Sequence, residues 1–421
     1  MTRIAIIGAG ITGTTTAWSL IRRGYDVTLF DRQRYAAMET SFANGGQLSA
    51  SNAEVWMHWA TILKGLRWMF RKDAPLLFHP APTWHKLSWI TEFVASIPQY
   101  ERNTVETVRL AIAAREHIWR MAAEAGIAFD HEKRGILHIY RDRAGFEHAT
   151  RVNRLLEKGG LVRRAVGPAE MRVIEPTLTG NLHAGYFTES DSTGDIHKFA
   201  VGLADAVARC GGRFETGTTV HRLSRDDAGV TVRFERSGET REERFDGVVV
   251  AAGIASRRFA AQLGDRVNIY PVKGYSITVN LRDAASRAAA PWTSLLDDDA
   301  KIVTSRLGAD RFRIAGTAEF TGENRDIRSA RIRPLVNWCE TLFPGVDTAS
   351  VVPWAGLRPM MPNMMPRVGR GAKPRIFYNT GHGHLGWTLS PATADAVAAL
   401  IGNDLPADGI FRARGDLLEA A

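Results

Sequence analysis

The stretch Arg3-Ile4-Ala5-Ile6-Ile7-Gly8-Ala9-Gly10-Ile11-Thr12-Gly13 decides the fold. Arg3 to Ile7 reads as a short buried strand, and Ile11 opens a helical stretch that runs through Arg23 to a stop at Gly24. Asp26 to Phe30 reads as a second strand, closed by Asp31 with Arg32 beside it. Gly8, Gly10 and Gly13 therefore form GxGxxG between a strand and a helix. The first glycine permits the tight turn, the second lets the backbone approach a pyrophosphate, and the third lets helix and strand pack closely. The helix N-terminus, with the amides of Ala9, Ile11 and Thr12 near it, offers N–H groups and a positive dipole end to phosphates. Asp31 stands where a carboxylate takes the ribose hydroxyls, and it would repel the extra phosphate of NADP. Glycines at this spacing also arise by chance; the strand, the helix and the terminal acid together predict a bound dinucleotide. They do not choose FAD over NAD.

Working outward, Gly194-Asp195-Ile196-His197 opens a helix to Arg209, ended by Gly211-Gly212. Strand-like pieces follow near Phe214, Thr219 to Leu223 and Val230 to Phe234. Val248 to Ala252 is a continuous apolar strand that meets Gly253. Val105 to Ala125 has helical periodicity. Ile269 to Val279 and Phe312 to Ala318 alternate as strands of a second, mainly antiparallel sheet. Ile376 to Asn379 is another strand, and the glycine-rich loop Gly381 to Gly386 leads to a final helix from about Pro391 to Ile401. The expected fold is α/β: a Rossmann-like dinucleotide domain of residues 1–85, 150–262 and 350–421, with an inserted α+β substrate domain of residues 86–149 and 263–349.

The 421 residues are ample for two to three domains. The formal net charge of +9 is spread along the chain without a Lys/Arg-rich run, so a nucleic-acid partner is not expected. Cys210 and Cys339 form no CxxC, which fits a reducing, cytoplasmic setting. Ile4 to Leu20 is apolar enough to mimic a signal peptide, but its glycine spacing marks it as part of the fold. From Trp56 to Phe93, aromatic residues including Trp59, Trp68, Trp84 and Trp89 alternate with Lys64, Arg67, Arg71, Lys72 and Lys86, and Pro75, Pro80 and Pro82 interrupt them. Peripheral docking on an anionic membrane is one reading, and a core with a solvated rim is the other.

Thr40-Ser41-Phe42-Ala43-Asn44-Gly45-Gly46-Gln47-Leu48 resembles the flavin-contacting loop of the D-amino-acid oxidase/glycine oxidase superfamily. Gly247-Val248-Val249-Val250-Ala251-Ala252-Gly253 resembles the strand and turn that this superfamily places near the dinucleotide, and Val220 resembles the position whose backbone meets the adenine. Five further segments carry the likeness. They are Tyr270 to Ser276, Ile314 to Phe320, Trp354 to Pro359, Pro366 to Gly369 and Asn379 to Thr388. Together, in order over nearly the whole chain, they resemble the small-subunit type of bacterial FAD-dependent D-amino-acid dehydrogenases.

That resemblance implies FAD, held by the glycine loop, Asp31, Arg32, the loop Ser41, Asn44, Gly45, Gly46, Gln47 and Leu48, Val220, Ala252, Gly253, and the run Gly383, His384, Leu385, Gly386, Trp387 and Thr388. It implies oxidative deamination. Hydride leaves the substrate Cα for flavin N5, the imine hydrolyses to a 2-oxo acid and ammonia, and electrons pass to a quinone or another non-oxygen acceptor. Arg358, in the G-x-R-P motif, matches the arginine that holds the substrate carboxylate, a task suited to two parallel guanidinium hydrogen bonds. Tyr275 is a candidate second contact, or a core tyrosine. The amino or imino acid and its stereochemistry, the oligomeric state and any partner subunit stay open. So do an oxygen-using oxidase of glycine, sarcosine or imino acids, and the flavin subunit of an opine- or hydroxyproline-oxidising complex. The reason is a set of departures from the family pattern at Met361-Pro362-Asn363, His384 and Leu389-Ser390-Pro391-Ala392. Asp195 and His197 read as a helix cap rather than as catalytic groups.

Overall fold

The computed structural model describes residues 1–59, 76–79 and 82–407. Lys64, Arg67, Trp68, Phe70, Arg71, Lys72, Pro75 and Pro80 of the aromatic–basic stretch lie outside the described residues.

Strand Arg3–Ile7 pairs in parallel with Asp26–Phe30 on one side and with Gly247–Val250 on the other. The full six-stranded order is Arg367–Arg370, Ile376–Thr380, Gly247–Val250, Arg3–Ile7, Asp26–Phe30, Arg213–Glu215, with only Arg367–Arg370 antiparallel to its neighbour. The apolar runs explain this. A parallel sheet is covered on both faces, so its strands can be apolar throughout. Side chains alternate along each strand. Ile4 and Ile6 pack under helices Ile11–Ile21, Ile196–Arg209 and Gly386–Asp404, beside Trp18, Phe199, Leu203 and Val397. Ala5 and Ile7 face the opposite way, toward Val220, Val232, Phe234 and Phe259. These come from a three-stranded antiparallel meander (Thr218–Arg225, Val230–Arg236, Glu239–Phe245) and helix Ser256–Leu263.

The first helix ends at Ile21, two residues before the expected Arg23. Arg23 N–H and Gly24 N–H donate to Leu20 O and Ile21 O, so a tightened turn replaces the last helical bonds before left-handed Gly24. The last helix begins at Gly386, five residues before the expected Pro391. Pro391 lies inside this helix, at its sixth residue, where its missing N–H removes one helical bond. The helix expected from Val105 spans Tyr100–Ala125 and stops at left-handed Gly126.

The second large sheet has nine strands and is mixed. Its order is Val351–Met360, Tyr270–Asn280, Arg311–Phe320, Ile302–Arg306, Ser294–Asp297, Ile136–Tyr140, Ala184–Thr188, Arg164–Val166, and Leu76–Phe78 also pairs with Arg311–Phe320. Two of its pairs are parallel: Ser294–Asp297 with Ile136–Tyr140, and Leu76–Phe78 with Arg311–Phe320. Ile277, Val279, Leu295 and Ile314 pack on Leu335, Trp338, Cys339 and Leu342 of helix Ser329–Leu342. Arg164–Val166, Ala184–Thr188 and Val351–Met360 belong to this sheet. Strand pairing joins segments far apart in the chain, and apolar patterning does not record the partner.

Candidate flavin and substrate site

The strands of the parallel sheet deliver their carboxyl ends to one cavity of about 1170 Å³. Ile7-Gly8, Phe30-Asp31, Ala251 to Gly253 and Thr380 to His382 all line it. This is where an open α/β sheet binds its ligand.

The three glycines act as their spacing predicts. Gly8 has φ +105°, and a Cβ there would meet Ala251 O at 2.6 Å. A Cβ on Gly13 would stand 1.8 Å from Gly8 O, so only glycine lets this helix touch this strand. At Gly10 the nearest atom to a built Cβ is Ser41 Oγ at 3.4 Å, which leaves the main chain open to the cavity. Gly10 supplies no capping side chain; Ile11 N–H donates to Ser41 Oγ, and the remaining first-turn amides are left for an anion. Asp31 closes the second strand, and its carboxylate accepts from Ala9 N–H at 2.7 Å and Gln33 N–H at 2.8 Å. Burial pushes its pKa up against those two donors. Arg32 pairs with Glu39 at 2.5 Å. Val220, Ala252 and Gly253 line the same end.

The loop from Ser41 to Leu48 lies flat on the nine-stranded sheet. Ser41 Oγ accepts from Ile11 N–H at 3.0 Å, which ties the loop to the glycine turn. Asn44 Oδ1 accepts from Gly46 N–H at 2.9 Å. A Cβ on Gly45 would strike Val303 at 2.5 Å, and one on Gly46 would strike Ser305 Oγ at 2.8 Å. Gln47 lines the cavity, but its amide donates to Ser294 Oγ and Leu295 O. The C-terminal run Gly383 to Trp387 faces the loop, and Trp387 Nε1 donates to Gly46 O at 3.3 Å. Ala9, Gly13, Leu48 and Thr388 do not line the cavity. They act from behind it: Ala9 through Asp31, Gly13 through the strand contact, Leu48 in the core, and Thr388 by accepting from Ser49 N–H at 3.1 Å.

Arg358 sits on strand Val351–Met360, in register with Val272 of Tyr270–Asn280. Its guanidinium lies over Gly274, where an added Cβ would come within 2.4 Å of both terminal nitrogens. Nη1 donates to Thr317 O at 2.9 Å. Thr317 holds φ +63°, an outlier for a β-branched residue, and that conformation accompanies the carbonyl's bond to Arg358. No carboxylate among the described residues pairs with Arg358. Burial alone pulls its pKa down to about 10, so it stays charged at neutral pH with its remaining donors on the cavity.

Tyr275 lines the cavity, but its hydroxyl lies 3.3 Å from both Glu319 Oε2 and Asp326 O, which share its one proton. Glu319 also holds Lys273 at 3.4 Å and Arg328 and Arg331 at 2.7 Å. The hydroxyl is therefore spent on a buried ion cluster, and the core reading of Tyr275 is the one its contacts favour. Asp195 caps helix Ile196–Arg209, accepting from His197 N–H at 2.9 Å and Lys198 N–H at 3.2 Å, and pairs with Arg311 at 2.9 Å.

The wall also contains residues that sequence reading passed over. Asp298 lies 3.5 Å from His138 Nδ1 and 3.4 Å from Lys301 Nζ. His138 Nε2 meets Ser51 Oγ at 2.9 Å, and Asp191 anchors the same turn through Ala50 N–H and Ser51 N–H. His138 lies on strand Ile136–Tyr140, and Asp298 and Lys301 lie in the turn after Ser294–Asp297; the parallel pairing of those two strands brings them together. No local motif marks them.

Fold and site define an oxidoreductase-like dinucleotide binder whose cavity presents an unpaired guanidinium. The chain belongs to the family of FAD-dependent oxidoreductases, whose model matches residues 3–400. The dinucleotide is FAD, and the open backbone at Gly10 and first-turn amides suit its pyrophosphate. The chain is 59% identical over 408 residues to D-amino acid dehydrogenase 3 of Mesorhizobium japonicum, covering 97% of this chain and 99% of that one. It is 42% identical over 410 residues to D-amino acid dehydrogenase of Paramagnetospirillum magneticum, covering 95% and 94%. In fold it resembles glycine oxidase from Geobacillus kaustophilus (TM-score 0.73, 20% identity, 96% of each chain). It also resembles L-proline dehydrogenase from P. horikoshii (TM-score 0.73, 17% identity, 96% and 95%).

Proposed function

We propose that this protein oxidises D-amino acids to 2-oxo acids and ammonia. The observation that carries the reading is Arg358: a charged, half-buried guanidinium without a protein carboxylate among the described residues, on the wall of the cavity that takes the dinucleotide. Two of its N–H groups can clamp a substrate carboxylate in parallel, which fixes where Cα sits. When bound, the flavin takes up the hydride that leaves Cα. The ammonium proton is lost to water, and the imine adds water after release. The names of the relatives support a D-amino acid as substrate.

We further assign the six-stranded and three-stranded sheets to the FAD-binding unit and the nine-stranded sheet to an inserted substrate unit. Leu76–Phe78, Arg164–Val166, Ala184–Thr188 and Val351–Met360 then join the substrate unit. We infer a quinone or similar carrier as electron acceptor, in keeping with dehydrogenase relatives. Trp59 and Trp84 are 61% and 89% exposed, which supports peripheral contact with an anionic membrane. Among the described residues no helix is long and apolar enough to cross one.

Anaerobic bleaching of the flavin by a panel of D-amino acids, L-amino acids, imino acids and opines tests the substrate. D-amino acids are expected to bleach fastest. Bleaching by L-amino or imino acids alone would overturn the reading, and peroxide formation in air without added acceptor would overturn the quinone. Arg358→Ala is expected to retain FAD and lose about a hundredfold or more in kcat/KM, the scale for truncating one partner of a buried charge pair.

A further inference from the structure

His384 stands in the three-residue 3-10 turn Gly383–Leu385 and lines the cavity. Its Nε2 is 3.2 Å from Asn52 O. A carbonyl only accepts, so Nε2 carries the proton and Nδ1 presents a lone pair. The ring stacks on Trp56, with centroids 4.6 Å apart and planes 21° apart, so its orientation is set. Burial, together with the Arg358 and Lys301 cations, holds its pKa down to about 4. The imidazole is therefore neutral at physiological pH. Among the described residues nothing donates to Nδ1, yet it is not a sealed, unsatisfied atom: the cavity is what it faces.

Its position relative to Arg358 follows from the backbone. Met360 and His382 form an antiparallel bridge. Arg358 precedes Met360 by two residues, and His384 follows His382 by two. That bridge sets strand Val351–Met360 against the turn that carries His384; Arg358 and His384 line the same cavity, and the Arg358 charge acts on the imidazole. A carboxylate held by Arg358 therefore carries its α-substituents past His384.

We propose that Nδ1 of His384 accepts a hydrogen bond from the amino group of the substrate whose carboxylate Arg358 holds. The proposal rests on the amino-acid reading above and names the residue that selects the amine. Two cations beside the imidazole disfavour a bound ammonium and favour the neutral amine, which has N–H groups to donate. That neutral amine is also the form able to release hydride from Cα. His384 is not the base. The proton goes to water, and the ring stays neutral throughout.

The test uses the holoenzyme, with D-alanine as substrate and propionate, which lacks the amine, as a competitive inhibitor. His384→Phe keeps the stack on Trp56 and removes both nitrogens. It is expected to lower kcat/KM for D-alanine roughly ten- to hundredfold, mainly through KM, as for a buried hydrogen bond left unmade. The propionate inhibition constant should stay within about twofold, since a carboxylate alone does not use Nδ1. His384→Asn, whose amide oxygen can replace Nδ1, should recover part of the loss and serves as the informative variant if His384→Phe sheds its flavin. Unchanged D-alanine kinetics in His384→Phe would overturn the proposal. So would equal losses for D-alanine and propionate, which would make the ring only a support for Arg358. Failure of propionate to compete in the wild-type enzyme would instead sink the carboxylate reading, and this proposal with it.

Discussion

Around Gly8 the cavity wall is main chain; around Arg358 it is side chain. At the glycine end, three residues within six positions create the surface by having no Cβ, and Gly13 tolerates a neighbouring carbonyl only for that reason. At the arginine end, one guanidinium is shaped by Gly274 beneath it and Thr317 O beside it, and its charge reaches His384, so four separate segments meet there. A backbone wall binds what all dinucleotides share. A side-chain wall discriminates among substrates, and it can change without unfolding the cradle.

The contrast is broken most severely by Gly13→Ala. Its Cβ would sit 1.8 Å from Gly8 O, and both atoms belong to rigid elements that cannot yield. Overpacking of well-packed structure costs about 1–3 kcal/mol or more, and here the helix must also leave the strand. We expect a protein with little or no flavin, read as flavin absorbance per mole of folded protein. Full occupancy would show that the glycine turn is not what holds the dinucleotide.

Gly274→Ala sharpens the other side. The added Cβ comes within 2.4 Å of the guanidinium, but that group is the far end of a flexible side chain and can move. The fold and FAD content should survive, while the carboxylate anchor shifts. A misplacement of about 1 Å can cost about a hundredfold in rate, so we expect kcat/KM for D-alanine to fall by ten- to a hundredfold. Wild-type kinetics in this variant would mean that Arg358 does not bind substrate in the position seen here.

The same division explains what the sequence revealed. Gly8, Gly10, Gly13 and Asp31 were legible because turn, helix start and strand end are local events. Asp195 as a cap was legible for the same reason. Arg358 was found by family resemblance, since one arginine among many carries no local mark. Lys301, Asp298 and His138 were missed. Their meeting depends on pairing Ile136–Tyr140 with Ser294–Asp297, more than 150 residues away in the chain. The pairing that moves Arg164–Val166 and Ala184–Thr188 into the nine-stranded sheet was hidden likewise. Tyr275 shows the converse: its position on the cavity was anticipated, but its hydroxyl direction depends on Glu319, on another strand, and on the backbone of Asp326.

The last effect is on stability rather than on turnover, and it comes from a residue that links the two regions. His382 lies between the parallel sheet and the substrate wall, is 4% exposed, and meets Thr393 Oγ1 through Nε2 at 2.9 Å. Burial lowers its pKa to about 3. The folded protein therefore keeps this ring neutral, while the unfolded chain takes up a proton below about pH 6.5. Proton uptake by the unfolded state alone favours unfolding, so stability falls as pH falls through that window. Between pH 6.5 and 4.5 the loss from this one group is about 2–3 kcal/mol, at roughly 1.4 kcal/mol per unit. His384 adds to the same slope in the same direction, but its open face on the cavity makes its share smaller. Thermal melts of the holoenzyme at pH 7 and pH 4.5 should show the drop. His382→Asn, which has no titrating group, should be less stable at pH 7 but show a shallower decline towards pH 4.5. An equally steep decline in His382→Asn would place the acid sensitivity elsewhere, and would mean that the sheet end beneath the substrate wall tolerates charge as the surface does.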